Sequence, residues 1–293
     1  MEKHREIFII HFCKEKKRNS ENLYEEPLLN DCKFSLCHSG GQFGSGGTMK
    51  KYLIGGLFAI AAAFSVHAGD SAVLVDNGFS SDGNYYIFGQ YGRIDKKFQS
   101  WAEIFTVDVR KNDYVDNEFY RVKPSAATSK KTGKEVYDSL LEKASVTTEK
   151  YKCSPCKPDQ ILYIREEEKK SGTDEIVFKD FTSSVSDDQA VYHVQLVPNV
   201  TGSGVDVRSS FYINVEKQDS NGRVLAAQKV GTPSIIRKGV KAYKIERIVC
   251  DSEGRNLVFI VEKTIEDKTG INIRFMIEAC ELNDDFSTNL ATE

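Results

Sequence analysis

The chain is poor in histidine and has no excess of basic charge, and these absences exclude several functions. Three of its five histidines precede Met49 and a fourth is His67, which leaves His193 as the one histidine after residue 68. No Gly-x-Ser-x-Gly elbow is present, so a serine hydrolase of that type is excluded. Residues 69–293 hold 31 Lys and Arg against 36 Asp and Glu, a net charge of −5. A nucleic-acid binder would show a basic excess, and we expect no nucleic-acid partner.

What the sequence has instead is an export signal that begins well inside the chain. Met49-Lys50-Lys51 is a basic start, residues 52–66 form an apolar run, and Val66-His67-Ala68 ends in a small residue before Gly69. A cleavable signal peptide has these parts in this order. The run falls short of the roughly 20 apolar residues of a membrane span. We expect cleavage between Ala68 and Gly69, and a secreted or periplasmic product without a stable membrane span.

The 48 residues ahead of this signal match neither a metal site nor a phosphate-binding loop. Their cysteines, Cys13, Cys32 and Cys37, lack the paired spacing of a zinc site. A phosphate-binding loop follows a strand and opens a helix, and the glycines of residues 40–47 do neither. We interpret residues 1–48 as the result of a translation start assigned too far upstream of Met49, or as a disordered extension. The expected organisation is a signal peptide at 49–68, one domain at 69–282 and a flexible tail at 283–293.

Residues after the signal predict a mainly β fold with one helix. Runs rich in Val, Ile, Tyr and Phe alternate with turn residues, and Asn221-Gly222 between two such runs is the strongest hairpin motif. A capping box of Thr132 and Glu135, followed by apolar residues on one helical face, predicts a helix over residues 134–147. Strands are predicted at 72–76, 85–91, 102–109, 118–122, 161–165, 175–181, 191–197, 211–217, 224–229, 243–250, 256–266 and 271–280.

Two stretches of the chain also resemble each other. Residues 81–88 and 252–259 align on Gly83 and Gly254, and a second predicted strand follows each of them. A turn with two antiparallel strands is typical of a propeller blade, but two copies are fewer than the four blades a propeller needs. The predicted fold class is therefore mainly β, with antiparallel sheets forming propeller-like hairpin repeats or a β-sandwich, plus one short α-helix.

A resemblance to a known family rests on aromatic and turn positions. Residues 79–92, 101–109, 112–115, 237–240 and 254–262 resemble an uncharacterised family of predicted secreted proteins found in spirochaetes. The likeness covers most of residues 70–282 and leaves out the first 48. It implies secretion in a diderm bacterium. Because the family has no assigned activity, the resemblance implies no functional residues.

Four cysteines follow the signal: Cys153, Cys156, Cys250 and Cys280. An even count in an exported chain favours disulfides over a metal site. Of the three possible pairings we expect Cys153–Cys156 and Cys250–Cys280, because the second pair ends two strands expected to be near each other. Cys153-Ser-Pro-Cys156 also has the spacing of a thiol–disulfide exchange site. It follows the predicted helix instead of starting one, and we interpret it as structural.

The remaining candidates all have a simpler interpretation. His193 lies in a predicted strand, where a packed or exposed side chain is the usual outcome. Acidic groups near residues 113–118, 166–168 and 187–188 could supply paired acids or calcium ligands, but acids at strand ends are usually solvated. The basic residues of 237–247 alternate with apolar ones, as on a solvated strand face.

Four aromatic residues form the possible binding surface: Tyr85, Tyr86, Tyr91 and Trp101. They could line a ligand groove, although cross-strand packing explains them as well. We expect no catalytic residue, no metal and no cofactor. The predicted function is non-catalytic binding of an envelope partner or ligand that the sequence does not identify. The alternative is a carboxylate-based hydrolase acting on envelope glycans.

Overall fold

A computed structural model of the protein describes residues 69–166, 175–179, 190–267 and 270–282. Within these ranges the chain forms thirteen strands and one α-helix, α1 (Gly133–Tyr151). The strands are β1 (Val73–Phe79), β2 (Tyr85–Ile94), β3 (Gln99–Asp108), β4 (Asp113–Val122), β5 (Ile161–Ile164), β6 (Glu175–Lys179), β7 (Val191–Thr201), β8 (Arg208–Gln218), β9 (Val224–Val230), β10 (Arg237–Lys238), β11 (Val240–Cys250), β12 (Asn256–Asp267) and β13 (Gly270–Glu281). The predictions for residues 1–68, 167–168, 187–188 and 283–293 fall outside the described ranges.

The strands form three antiparallel sheets. The first sheet has the order β1-β2-β3-β4, and the second has the order β13-β12-β11-β5. The third has the order β10-β8-β7-β6, with β9 also pairing with β8. The predicted fold class, mainly β with antiparallel sheets and one helix, is confirmed, and the packing is consistent with a β-sandwich.

The second sheet lies between the other two, because its two faces belong to different apolar cores. Successive side chains of a strand point to opposite faces, so Val258 and Phe259 on β12 enter different cores. Phe259 packs with residues of the third sheet such as Ile213, and Val258 packs with residues of the first sheet such as Phe88. Burial on both faces explains why residues 257–261 are continuously apolar instead of alternating.

The helix covers the other face of the first sheet. The predicted capping box forms: Glu135 N–H donates to Thr132 Oγ1 (3.2 Å), and Thr132 N–H donates to the Glu135 carboxylate (2.7 Å). The helix is longer than predicted and reaches Tyr151. Its buried face packs against β2 and β3, where Gly89 makes room for the Tyr137 ring. A Cβ at residue 89 would lie 2.3 Å from that ring.

The two hairpins that align in sequence lie at different positions in two sheets, because β2–β3 is the central pair of the first sheet and β12–β13 includes the edge strand of the second. The β2–β3 hairpin belongs to the first sheet and the β12–β13 hairpin belongs to the second. The start of β12 contacts the turn ahead of β2, since the Asn256 side chain donates to the Gly83 carbonyl (3.0 Å). The described strands thus support two similar hairpins in a sandwich, and the propeller alternative gains no support from them.

Candidate functional site on the outer face of the third sheet

The four aromatic residues predicted to line a groove do not share a surface. Tyr86 and Trp101 are buried between the first and second sheets. Tyr85 and Tyr91 point to the opposite face, because they alternate with Tyr86 along β2. There Tyr85 contacts Tyr151 of the helix, with ring centroids 4.2 Å apart, and Tyr91 contacts another helical tyrosine. The aromatic cluster in the sequence is therefore divided between two packing layers.

The predicted Cys250–Cys280 disulfide is wrong in this structure, where both thiols are free. Cys250 on β11 and Cys280 on β13 both pair with Leu257, because β12 runs between their strands. Two strand spacings place their Cα atoms roughly 10 Å apart. A disulfide cannot bridge more than about 7 Å without backbone movement. The two strands belong to one sheet, as expected, but they are not adjacent.

The predicted Cys153–Cys156 bond is also absent, because the motif crosses the edge of the first sheet. Ser154 N–H donates to the Phe79 carbonyl (3.2 Å), which places Cys153 on the helix side and Cys156 in the core between the sheets. Burial raises the pKa of the Cys153 thiol to about 12. Burial and the Asp76 carboxylate raise the pKa of Cys156 well above its usual value. Protonated thiols are poor nucleophiles, which supports a structural interpretation of the motif.

The deeply buried acids are bonded to basic or amide side chains. Glu103 lies 3.0 Å from Arg121 Nε, and Asp70 lies 2.9 Å from an Arg274 amino group. Each carboxylate is less than 5 % exposed. A pair of glycosidase acids needs one carboxyl that is free to give its proton to substrate. Glu103 instead pairs with Arg121 between neighbouring strands of the first sheet, and Asp70 joins the chain ahead of β1 to β13.

No group of three or more His, Cys, Asp or Glu residues with metal-binding geometry occurs in the described part of the chain.

The third sheet presents an outer face formed by the residues that alternate with its core side chains. Tyr192, Val194 and Ile213 point inward to the core shared with the second sheet. The side chains between them therefore point outward. One row across the sheet consists of Val177, His193, Glu216 and Ala227. The next row consists of Glu175, Gln195, Asn214 and Lys229.

Contacts on this outer face hold its polar side chains in place. His193 Nδ1 lies 3.1 Å from Glu175 Oε1, and Lys229 Nζ lies 4.5 Å from the centre of the Tyr212 ring. The apolar side chain of Val177 is 52 % exposed beside them. His193 is thus a half-buried strand residue with Glu175 as its side-chain neighbour.

The chemistry of this face suits an uncharged polar ligand. Two glutamates, Glu175 and Glu216, lie in these rows together with Lys229, and Lys179 lies in the row beside them. Amide side chains both donate and accept hydrogen bonds, so they match hydroxyl and amide groups of a ligand. Sequence reasoning singled out only His193 here. The alternation of polar and apolar residues along 191–196 is the sequence signal that could have identified the other residues of this face.

Fold and surface together define a three-sheet β-sandwich protein with a helix over one outer face and a polar, exposed sheet face on the other side. The chain belongs to the family described as predicted secreted protein (DUF2259), whose model matches residues 87–281. The match extends from β2 to β13 and includes the helix and strands of all three sheets. No curated protein and no solved structure matches the chain. Among the described residues, no helix has the length and apolar character needed to cross a membrane.

Proposed function

We propose that this member of a secreted family is a non-catalytic binding protein that uses the outer face of the third sheet. Its ligand would be an uncharged, hydroxyl- or amide-bearing polymer of the cell envelope. The observation that carries the proposal is the pair of rows across β6–β9, where amide, aliphatic and charged side chains lie side by side. The first sheet, in contrast, has its outer face covered by α1.

Export is the second part of this proposal. The signal peptide would begin at Met49 and be removed between Ala68 and Gly69, and residues 1–48 would not be part of the exported protein. Membership of a secreted family supports export but not these boundaries. N-terminal sequencing of the secreted protein should find Gly69 first. A product that retains residues 1–48 would refute both boundaries. The spirochaete origin implied by the resemblance stays a prediction.

The alternative, a carboxylate-based hydrolase, has weaker support. The buried acids Asp70 and Glu103 are engaged by arginines, and Glu175 on the outer face contacts His193. Neither arrangement offers the pair of facing carboxyl groups on which glycoside hydrolysis depends. Release of reducing sugars from purified envelope glycan by the mature protein would nevertheless revive this alternative.

A co-sedimentation assay tests the binding surface. Mature protein is mixed with insoluble, protein-free envelope glycan, and the bound fraction is measured at physiological salt. A double variant, Gln195→Glu with Asn214→Glu, adds two negative charges to one row and should weaken binding at least tenfold. Val146→Glu is the matched control, because Val146 lies on the helix and is 74 % exposed. Equal binding by all three proteins, or no binding by the unchanged protein, would refute the assignment.

A further inference from the structure

The four residues after the proposed cleavage point form a short parallel pairing with β13. Ser71 and Ile273 make a parallel bridge. Ile273 N–H donates to the Asp70 carbonyl (2.9 Å), and Ala72 N–H donates to the Ile273 carbonyl (3.1 Å). We call residues 69–72 the N-terminal segment. It covers backbone groups on the free edge of the second sheet.

The side chain of Asp70 anchors this segment in the interior. The residue is 4 % exposed, and its carboxylate accepts hydrogen bonds from Trp101 Nε1 (2.5 Å) and from Arg274 (2.9 Å). The Arg274 guanidinium also lies 4.1 Å from the Trp101 ring centre. Gly92 lies opposite, where an added Cβ would come within 2.6 Å of the Asp70 carboxylate. Both hydrogen bonds go to Oδ2, and Oδ1 is buried beside Gly92, so the interior holds the Asp70 side chain by one of its two oxygens.

Gly69 fits against β13 only because it lacks a side chain. A Cβ at residue 69 would lie 1.5 Å from the Ile271 carbonyl oxygen, and backbone atoms of a paired strand cannot move aside cheaply. Signal peptidase sites constrain chiefly the small residues before the bond. The close approach to β13 therefore explains why residue 69, immediately after the proposed cleavage site, is glycine.

Pairing with β13 requires Gly69 and Asp70 to be bonded to the domain, whereas cleavage requires the same residues to be accessible. The apolar run ends at Val66, so a membrane-inserted signal holds Asp70 within about 15 Å of the bilayer, given ~3.5 Å per extended residue. A peptidase must also grip an accessible chain on both sides of the bond. In the folded domain, however, the backbone and side chain of Asp70 are already bonded to β13 and Trp101.

We propose that the N-terminal segment is a latch that closes onto β13 only after the signal peptide has been removed. Removal releases Gly69 and Asp70 from the membrane, and the Asp70 carboxylate then enters its site between Trp101 and Arg274. Cleavage would in this way complete the edge of the second sheet. The inference rests on the proposed cleavage after Ala68.

Trp101 reports directly on the latch because it is the only tryptophan of the chain. The experiment compares acrylamide quenching of its fluorescence in the mature protein and in a precursor starting at Met49, reconstituted in lipid vesicles. A bulky residue, Ala68→Tyr, blocks cleavage of that precursor. We expect quenching to be at least twofold stronger in the precursor than in the mature protein. Equal quenching would show that docking does not wait for cleavage.

Two variants of the mature protein test the site itself. Asp70→Asn removes the charge that Arg274 contacts, and Gly69→Ala blocks backbone docking while it leaves that charge in place. Each should at least double the quenching of Trp101 while circular dichroism stays native. Asp138→Asn is the control, since Asp138 is exposed on the helix and forms an ion pair with Lys134. Unchanged quenching in both folded variants would overturn the latch.

If Asp70→Asn fails to fold, Gly69→Ala and the precursor still decide the question. N-terminal sequencing separates this inference from the proposed export boundaries. A mature protein that starts elsewhere refutes the cleavage site, whereas a start at Gly69 with unchanged quenching refutes only the latch.

Discussion

The side chain of Asn112 accepts a hydrogen bond from the backbone N–H of Ala279 over 2.7 Å. Asn112 belongs to the turn between β3 and β4 of the first sheet, and Ala279 lies on β13, an edge strand of the second. The same asparagine donates to Glu278 (2.5 Å). Its φ of 48° is in the left-handed region, which asparagine tolerates better than most residues.

Two other N–H groups on the same edge of β13 are also bonded. The Phe275 N–H donates to the Gln90 side chain (2.8 Å), and the Ile273 N–H donates to the Asp70 carbonyl (2.9 Å). An exposed edge would be free to pair with another chain. The first sheet and the N-terminal segment thus protect the central sheet, which explains the polar groups buried between them.

Replacing Gln90 by leucine should destabilise the protein by about 2–4 kcal/mol. The variant leaves the Phe275 N–H without an acceptor, and it removes the amide that donates to Glu103 (2.9 Å). Urea unfolding of a protein comprising residues 69–293 measures the change. Gln195→Leu on the exposed outer face should stay within about 0.5 kcal/mol. A Gln90 variant as stable as that control would contradict this prediction.

Asn112→Asp should destabilise the protein more at neutral pH than in acid. The new carboxylate can still accept the Ala279 N–H, but it faces the Glu278 carboxylate instead of donating to it. Like charges raise the pKa of one partner, so stability is present at low pH and is lost as the pH rises. We expect a loss of about 1–3 kcal/mol at pH 7 that is partly recovered near pH 4, relative to the unchanged protein. Equal losses at both pH values would exclude this repulsion.

Gly89→Ala should disturb the packing of the helix on the first sheet. An added methyl group would lie 2.3 Å from the Tyr137 ring, whose hydroxyl is held by Asn77. Overpacking of this kind costs about 1–3 kcal/mol. In a double-mutant cycle, Tyr137→Leu should relieve part of the cost, because it removes the atoms that clash. Additive losses in thermal or urea unfolding would mean that the two residues do not compete for this space.

The thiols of Cys153, Cys156, Cys250 and Cys280 should be free in the folded protein, and their ionisation should destabilise it at alkaline pH. Burial raises the pKa of Cys280 to about 12, whereas an unfolded thiol titrates near ~8.5. Its raised pKa means that the stabilising contribution is complete below about pH 8.5 and is lost as the pH rises toward 12. Between pH 8 and pH 10 the free energy of unfolding should fall by about 1–2 kcal/mol more than in Cys280→Ala.

Thiol counting checks the same prediction independently. In a protein comprising residues 69–293, a thiol reagent should modify all four cysteines after urea unfolding and Cys280 only very slowly before it. A non-reducing peptide map that contains a Cys250–Cys280 or Cys153–Cys156 cross-link would contradict the structure. Insulin reduction that disappears in Cys153→Ser would show that the motif is a redox site after all.

The sequence by itself determined the local elements, because their physics is local. All twelve predicted strands are found within a few residues where the structure describes them, and only the two-residue strand β10 was not predicted. Asn221-Gly222 forms the turn between β8 and β9, since Gly222 adopts the positive φ of 76° that the turn requires. The capping box likewise marks the start of α1, because both of its hydrogen bonds join residues three positions apart.

Only the tertiary structure decided which residues meet, because those contacts depend on strand order and on which face each side chain occupies. Cys250 and Cys280 share a sheet, but β12 between them is visible only in the pairing. Tyr85 and Tyr86 are adjacent in sequence, yet the pleat of one strand sends them into different layers. The same long-range order brings Asp70 to Arg274, 204 residues away, so neither the anchored N-terminal segment nor the protected edge of β13 can be recognised in the sequence.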